Sequence, residues 1–287
     1  MDNKKKKGKT AFWLMILFVV LGTTGVYAWF SVSNRARVEN LALIADHQGN
    51  LRIADDTGNG PGEYKDALNI MEVDENGLNA ILSPVTTTDG VKFYSPEYNP
   101  STQTVESVTE ITDYEELTKH YIYEKTFYLR AGVDNENTVA NIKRTYDVAL
   151  YGVNSTNKVN GSYVYQLAGD GNDTAANSIR VSFTLEDGGT YIYEPNCDVN
   201  NVDDTRAKDG VNIVYGRYDT YRQRANGVFE VSPKANESEK LFTIDENVDV
   251  KVTMRIWIEG TDVDCTNSIA ADNILGQIQF VSTEIKN

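Results

Sequence analysis

Beyond residue 38 the chain alternates apolar and polar positions with a period of two, the spacing of strands that bury one face, and only briefly with the 3.6-residue period of a helix. The longest such run is 248–259, where Val250, Val252, Met254, Ile256 and Ile258 share one side. A second covers 121–130, in which Tyr121, Tyr123, Lys125, Phe127 and Leu129 alternate with the residues between them. Shorter runs predict strands at 147–153, 179–185, 191–194 and 277–283. Residues 41–44 and 51–54 flank His47-Gln48-Gly49-Asn50 and predict a hairpin. Asn59-Gly60, Asn76-Gly77, Asp89-Gly90, Asn160-Gly161, Asp187-Gly188 and Asn226-Gly227 supply turn residues between apolar runs. Helix is confined to 113–119, with Thr112 as cap, and to a turn or two within 266–275. The polar stretch 99–104 reads as a loop, and no repeat or low-complexity tract divides the chain. The pattern predicts a mainly β fold, a jelly-roll-like antiparallel β-sandwich with long loops over 40–287, in which the strands near 40–54 join the same sandwich as the last ones.

Ahead of the alternating region the pattern changes. Lys4, Lys5, Lys6, Lys7 and Lys9 precede a stretch from Ala11 to Val32 without a charged side chain. A basic start and an apolar core make an export signal, and Val26-Tyr27-Ala28 puts small residues where a peptidase would cut before Trp29. The same stretch is long enough to remain as a membrane-spanning helix at about 20 residues per span. The lysines outweigh Arg35 and Arg37 and keep the amino terminus inside the cell in either case. Residues 1–28 are therefore a signal peptide or membrane anchor, residues 29–39 an extended segment, and the remainder lies outside the cytoplasmic membrane. Removal of residues 1–28 takes five Lys and one Asp from a formal net charge of −15 and leaves −19. Such a body repels phosphate backbones, which disfavours nucleic acid as a partner.

Export gives the two cysteines an oxidising surrounding, so Cys197 and Cys265 are either bridged or free thiols. Two histidines, His47 and His120, lie 73 positions apart without a His-Glu-x-x-His or Gly-x-Ser-x-Gly motif, so zincin and serine-hydrolase chemistry lack their residues. A surface hydrolase working through paired carboxylates is the remaining catalytic alternative. Asp and Asn oxygens cluster at 134–137, 170–173, 198–204 and at Asp262 with Asp264, a composition that suits Ca2+ and equally suits ordinary turns. The segment 72–77 opens like an EF-hand loop, but Ser83 stands where the bidentate Glu belongs. Tyr215, Arg217, Tyr218, Tyr221, Arg222 and Arg224 form an aromatic and basic segment able to stack a sugar or engage an anionic partner.

The lysine-rich start, the apolar core, Tyr27-Ala28-Trp29-Phe30-Ser31 and the lead into Asn40-Leu41-Ala42-Leu43 and Gly49-Asn50-Leu51 resemble the TasA and camelysin surface and biofilm-matrix proteins of Gram-positive bacteria, whose signal is handled by a SipW-type peptidase. The resemblance covers residues 1–54. It implies an extracellular fibre subunit, in which the freed amino-terminal segment of one molecule adds as a strand to the sandwich of the next. Trp29, Phe30, Val32 and Val38 would be the apolar anchors of that donor, with Arg35 and Arg37 complementing an acidic acceptor. The metalloprotease activity described for camelysin has no matching ligand set in this chain. The alternative is a membrane-anchored extracellular module that binds a glycan, a cation or a protein.

Overall fold

The structure is a computed structural model that describes residues 36–45, 51–69, 80–132, 144–152, 161–166, 174–194, 205–208, 211, 222–223, 229–231, 238–266 and 273–286. It is mainly β. The strands in chain order are β1 (Ala36–Ala45), β2 (Leu51–Asp55), β3 (Ala67–Asn69), β4 (Ala80–Leu82), β5 (Tyr94–Tyr98), β6 (Val105–Glu110), β7 (Ile122–Ala131), β8 (Thr145–Tyr151) and β9 (Tyr163–Gln166). They continue with β10 (Ile179–Leu185), β11 (Thr190–Tyr193), β12 (Arg222–Gln223), β13 (Phe229–Val231), β14 (Ser238–Asp245), β15 (Val250–Ile258) and β16 (Asn273–Glu284). Among the described residues two helices, α1 (Tyr114–His120) and α2 (Thr174–Asn177), interrupt them.

Sheet I has the order β14-β8-β16-β1-β3, with β4 also beside β1 and β9 also beside β16; sheet II has the order β12-β13-β11-β10-β15-β7-β2. Their inner faces meet in one core, as in a sandwich. Phe280 of sheet I stands 5.3 Å from Phe183 and 5.8 Å from Phe127 of sheet II, centroid to centroid. The alternation explains which side faces in: Val252, Met254, Ile256 and Ile258 are buried against Leu41, Leu43 and Ile278. Most pairings are antiparallel, but β1 runs parallel to β16, and β11 parallel to β13.

A third layer covers one end of sheet II's outer face, formed by residues 83–120. Trp257 points outward from β15 and packs with Val85, Phe93, Leu117, Ile122 and Ile192 in a second apolar cluster. Phe93 meets its ring edge to face, with centroids 5.4 Å apart. The layer is pinned by main-chain bonds from Val85 N to Ile258 O at 3.0 Å and from Gly260 N to Val85 O at 2.8 Å.

Several expectations change. Residues 41–44 and 51–54 do not form a hairpin: β1 lies in sheet I and β2 in sheet II, beside β7, so the chain crosses the sandwich between them. The polar stretch 99–104 is a loop as read, and it forms the turn of a hairpin β5–β6, held by Asn99 N to Thr104 O at 2.8 Å. The cap of α1 is Asp113, whose carboxylate accepts from Glu115 N and Glu116 N, rather than Thr112. Residues 273–275 belong to β16 rather than to a helix. The Asp187-Gly188 turn joins β10 to β11 as expected, with Gly188 at φ 88°. The boundary expected at 39/40 falls inside β1.

Candidate functional site

The first described strand occupies an interior position of sheet I. Eight residues of β1 pair with β16 in parallel, from Arg37 opposite Asn273 to Ala45 opposite Phe280, with a bulge between Val38 and Asn40. On its other side, among the described residues, Ala36–Val38 pair with β4 and Ala42–Ile44 with β3. Leu41, Leu43 and Ala45 point into the core, while Ala42 and Ile44 face outward and are half-buried.

β1 and β16 meet closely at Gly276. A Cβ there would lie 2.8 Å from Leu41 Cδ1 and 3.2 Å from the Tyr163 carbonyl oxygen, which belongs to the neighbouring backbone and cannot rotate away. Leu41, Gly276 and Ile274 also border, with Ile179, Val181 and Ile256 of sheet II, an apolar void of about 10 Å³. That is at the lower limit for one water, and nothing polar lines it to hold one. Gly276→Val is therefore expected to loosen β1 and cost about 1–3 kcal/mol in chemical denaturation. An unchanged midpoint would mean that β1 is not seated on β16 at this register.

A second constellation lies between sheet II and its covering layer. Arg180 projects from β10 toward the outer side, fully buried, and donates through Nη2 to Asp262 Oδ2 at 2.5 Å. The same nitrogen stands 3.1 Å from Glu194 Oε1, and Nη1 donates to the Asn177 and Ile179 carbonyls at 2.7 and 3.0 Å. Glu259, at the end of β15 and also fully buried, accepts from Trp257 Nε1 at 3.1 Å, from Thr261 N at 3.1 Å and from Thr261 Oγ1 at 2.6 Å. Thr86 of the covering layer donates to the same carboxylate. Asp262 Oδ1 accepts from Asp264 N at 2.8 Å, and Asn177 Nδ2 donates to Asp264 at 3.1 Å. Arg206 closes the group from outside: its backbone N–H donates to Thr261 O at 2.7 Å, and its guanidinium lies 4.9 Å over the Tyr98 ring.

Burial pushes Glu259 up to about 7, against the hydrogen bonds from Thr261, Thr86 and Trp257 and the charge of Arg180, which all favour its ionised form. Burial works against the charge of Arg180 too, yet Glu194, Asp262 and Glu259 outweigh it and hold the guanidinium firmly protonated. Cys265 is a free thiol, buried beside this group, and burial pushes it up to about 12. Its Sγ lies 3.9 Å from Tyr98 Oη, which donates to Gly260 O at 2.9 Å. A thiol held protonated in this way is a poor nucleophile.

No family model, no curated protein and no solved structure matches the chain.

Of the expected donor residues, Arg37 and Val38 lie in β1 opposite Asn273 and Ile274, while Trp29, Phe30, Val32 and Arg35 fall outside the described residues, as do residues 1–28. Arg222 is in β12, opposite Glu230; Tyr215, Arg217, Tyr218, Tyr221 and Arg224 are outside the description. Cys197, His47 and the acidic runs 134–137, 170–173 and 198–204 are outside it as well, as is the EF-hand-like opening at 72–77. His120 ends α1, 3.8 Å from Glu116 and half exposed, with no second histidine near it among the described residues. Asp262, an expected Ca2+ oxygen, has its carboxylate committed to Arg180 and to the Asp264 amide. Among the described residues no group of three His, Cys, Asp or Glu side chains converges as a metal site would require, and no helix is long and apolar enough to cross a membrane.

The Arg180 cluster went unpredicted. Its trace in the sequence is an arginine within an otherwise apolar and hydroxyl-bearing strand, Ile179-Arg180-Val181-Ser182-Phe183, and a carboxylate directly after Ile256-Trp257-Ile258. Either reads as an outward, solvated position unless the covering layer is known.

Proposed function

We propose that the protein is an exported structural subunit of the cell surface or extracellular matrix that assembles by addition of its amino-terminal strand to a neighbouring copy. A released signal peptide, or an anchor at residues 1–28 before release, and a jelly-roll form of the sandwich belong to the same reading. The observation that carries it is the position of β1: the first described strand sits inside sheet I, aligned along β16 and held on its far side by two three-residue strands. Withdrawal of β1 would leave the edge of β16 from Asn273 to Phe280 unpaired, with the hydrophobic seat of Leu41 and Leu43 empty. An identical strand from another chain satisfies both, through main-chain hydrogen bonds and alternate side chains in matching pockets. Strand exchange therefore adds a link between copies at little cost in pairing, which is the logic of domain swapping extended to an open chain.

Ala42 and Asn69 are neighbours across the β1–β3 pair, which makes them reporters of whose strand fills the slot. In a Cys197→Ser background, the full chain carrying Ala42→Cys and Asn69→Cys is expected to form bonds between chains in assemblies, seen as a ladder on a non-reducing gel. Assemblies that dissolve in denaturant to internally bridged single chains would overturn strand exchange.

A further inference from the structure

The seam between sheet II and its cover holds an unbalanced set of charges. Glu194, Glu259 and Asp262 face Arg180 and Arg206, and all five side chains are less than a tenth exposed. Among the described residues of this seam, three carboxylates stand against two guanidiniums when every group is ionised. Arg180 cannot correct this alone, because its Nη2 is shared by Asp262 and Glu194 and its Nη1 is committed to two carbonyls. Arg206 gives its Nε and Nη2 to Gln103, at 2.8 and 3.1 Å, and its buried Nη1 has no acceptor among the described residues. Buried charge that is not compensated is costly, and the carboxylate farthest from a guanidinium hydrogen bond is the one that gains most from a proton. That carboxylate is Glu259, whose four donors are uncharged.

Glu259 also stands where the cover is fastened. Its bond from Thr86, the Val85–Ile258 and Gly260–Val85 main-chain bonds, and the Tyr98 hydroxyl on Gly260 lie within a few residues of it. We propose that this seam is a pH-operated latch with Glu259 as its titrating group: protonated, it keeps the covering segment 83–111 closed on sheet II; ionised, it favours lifting of that segment.

The groups facing Glu259 are accounted for from each neighbouring element. Arg180 comes from β10, Glu194 follows β11, and Asp262, Asp264 and Cys265 belong to the loop after β15; Tyr98 comes from β5 and Arg206 from the segment 205–208. Tyr98 and Cys265 are both held protonated by burial through the neutral range. The sign follows from Glu259, raised from 4.5 to about 7 in the closed state. Opening to water returns it toward the lower value, so closure is fully favoured below 4.5 and its advantage is lost as pH rises through 7. At tenfold per unit, the open population gains on the order of a hundredfold across that window. The latch does not depend on strand exchange at β1.

Trp257 donates to Glu259 and reports its charge directly. In the full chain labelled with 5-fluorotryptophan, with the resonance assigned through Trp257→Phe, the Trp257 signal is expected to titrate with a midpoint near 7. Amide exchange of residues 83–111, taken relative to Glu259→Gln at each pH, is expected to rise on the order of a hundredfold from pH 5 to 8. Glu194→Gln removes a competitor for Arg180 and is expected to move the midpoint to lower pH, a result that stands even if Glu259→Gln fails to fold. A Trp257 signal that is constant from pH 5 to 9 would overturn the latch. So would a titration that leaves exchange in 83–111 unchanged, or a Glu194→Gln midpoint that stays or rises.

Discussion

Replacing Arg180 with alanine is expected to cost the fold about 3–5 kcal/mol near neutral pH, because it leaves buried carboxylates without the cation that compensates them. In a chain of this size that corresponds to a fall of roughly 10 °C in melting temperature. The loss is expected to shrink in acid. Without Arg180 the buried Glu259, already raised by burial, loses a charge that favours its ionised form and ionises still less readily in the folded state than in the unfolded chain, so the variant keeps its stability at low pH and loses it as pH rises. Arg180→Lys, which keeps a charge but not the fork that reaches two carbonyls and two carboxylates, should fall between. Melting curves of the three proteins at pH 4 and pH 7 check this. A deficit below about 1 kcal/mol, or one equal at both pH values, would mean that the guanidinium does not balance these groups.

Leu43→Ala is expected to have the next largest effect, about 2–5 kcal/mol in denaturant titration. Leu43 is fully buried at the middle of β1, opposite Ile278 on one side and Leu68 on the other. Ile44→Ala, one position along, removes the same three carbons but from the outward face, where Ile44 is only half-buried. It should cost less than half as much. Equal costs, or the reverse order, would contradict the register of β1 in sheet I, since a slip of one residue exchanges the two faces.

Where a strand was legible from the chain alone, alternation made it so. The range 179–185 is the extent of β10, and β15 and β7 start and end close to the ranges read from their apolar positions. Their apolar residues face a core, and every second residue records it. The connections were less legible. A Gly-Asn pair between two apolar runs looks the same whether the chain folds back into the same sheet or crosses to the other, and β1 and β2 do the latter. The β5–β6 hairpin escaped because Ser95, Glu97, Ser107 and Thr109 dominate its composition; polar contacts such as Ser107 to Glu97 and Asn99 to Glu106 supply much of its cohesion. The buried cluster was hidden for a different reason. Arg180 and Glu259 occupy the outward side of their strands, and only the packing of residues 83–120, distant in sequence, turns that side into an interior.

The parallel alignment of β1 and β16 also sets how the molecule carries mechanical load. Ala36 enters the pair near Asn273, whereas β16 continues past the end of β1 to Glu284. Tension applied between residue 36 and residue 284 therefore pulls the two strands lengthwise past each other. Their cross-strand hydrogen bonds share the force together and must fail together, whereas a hairpin pulled from its open end yields them one at a time. A sandwich whose first and last described strands meet in this way resists stretching through the seam between them.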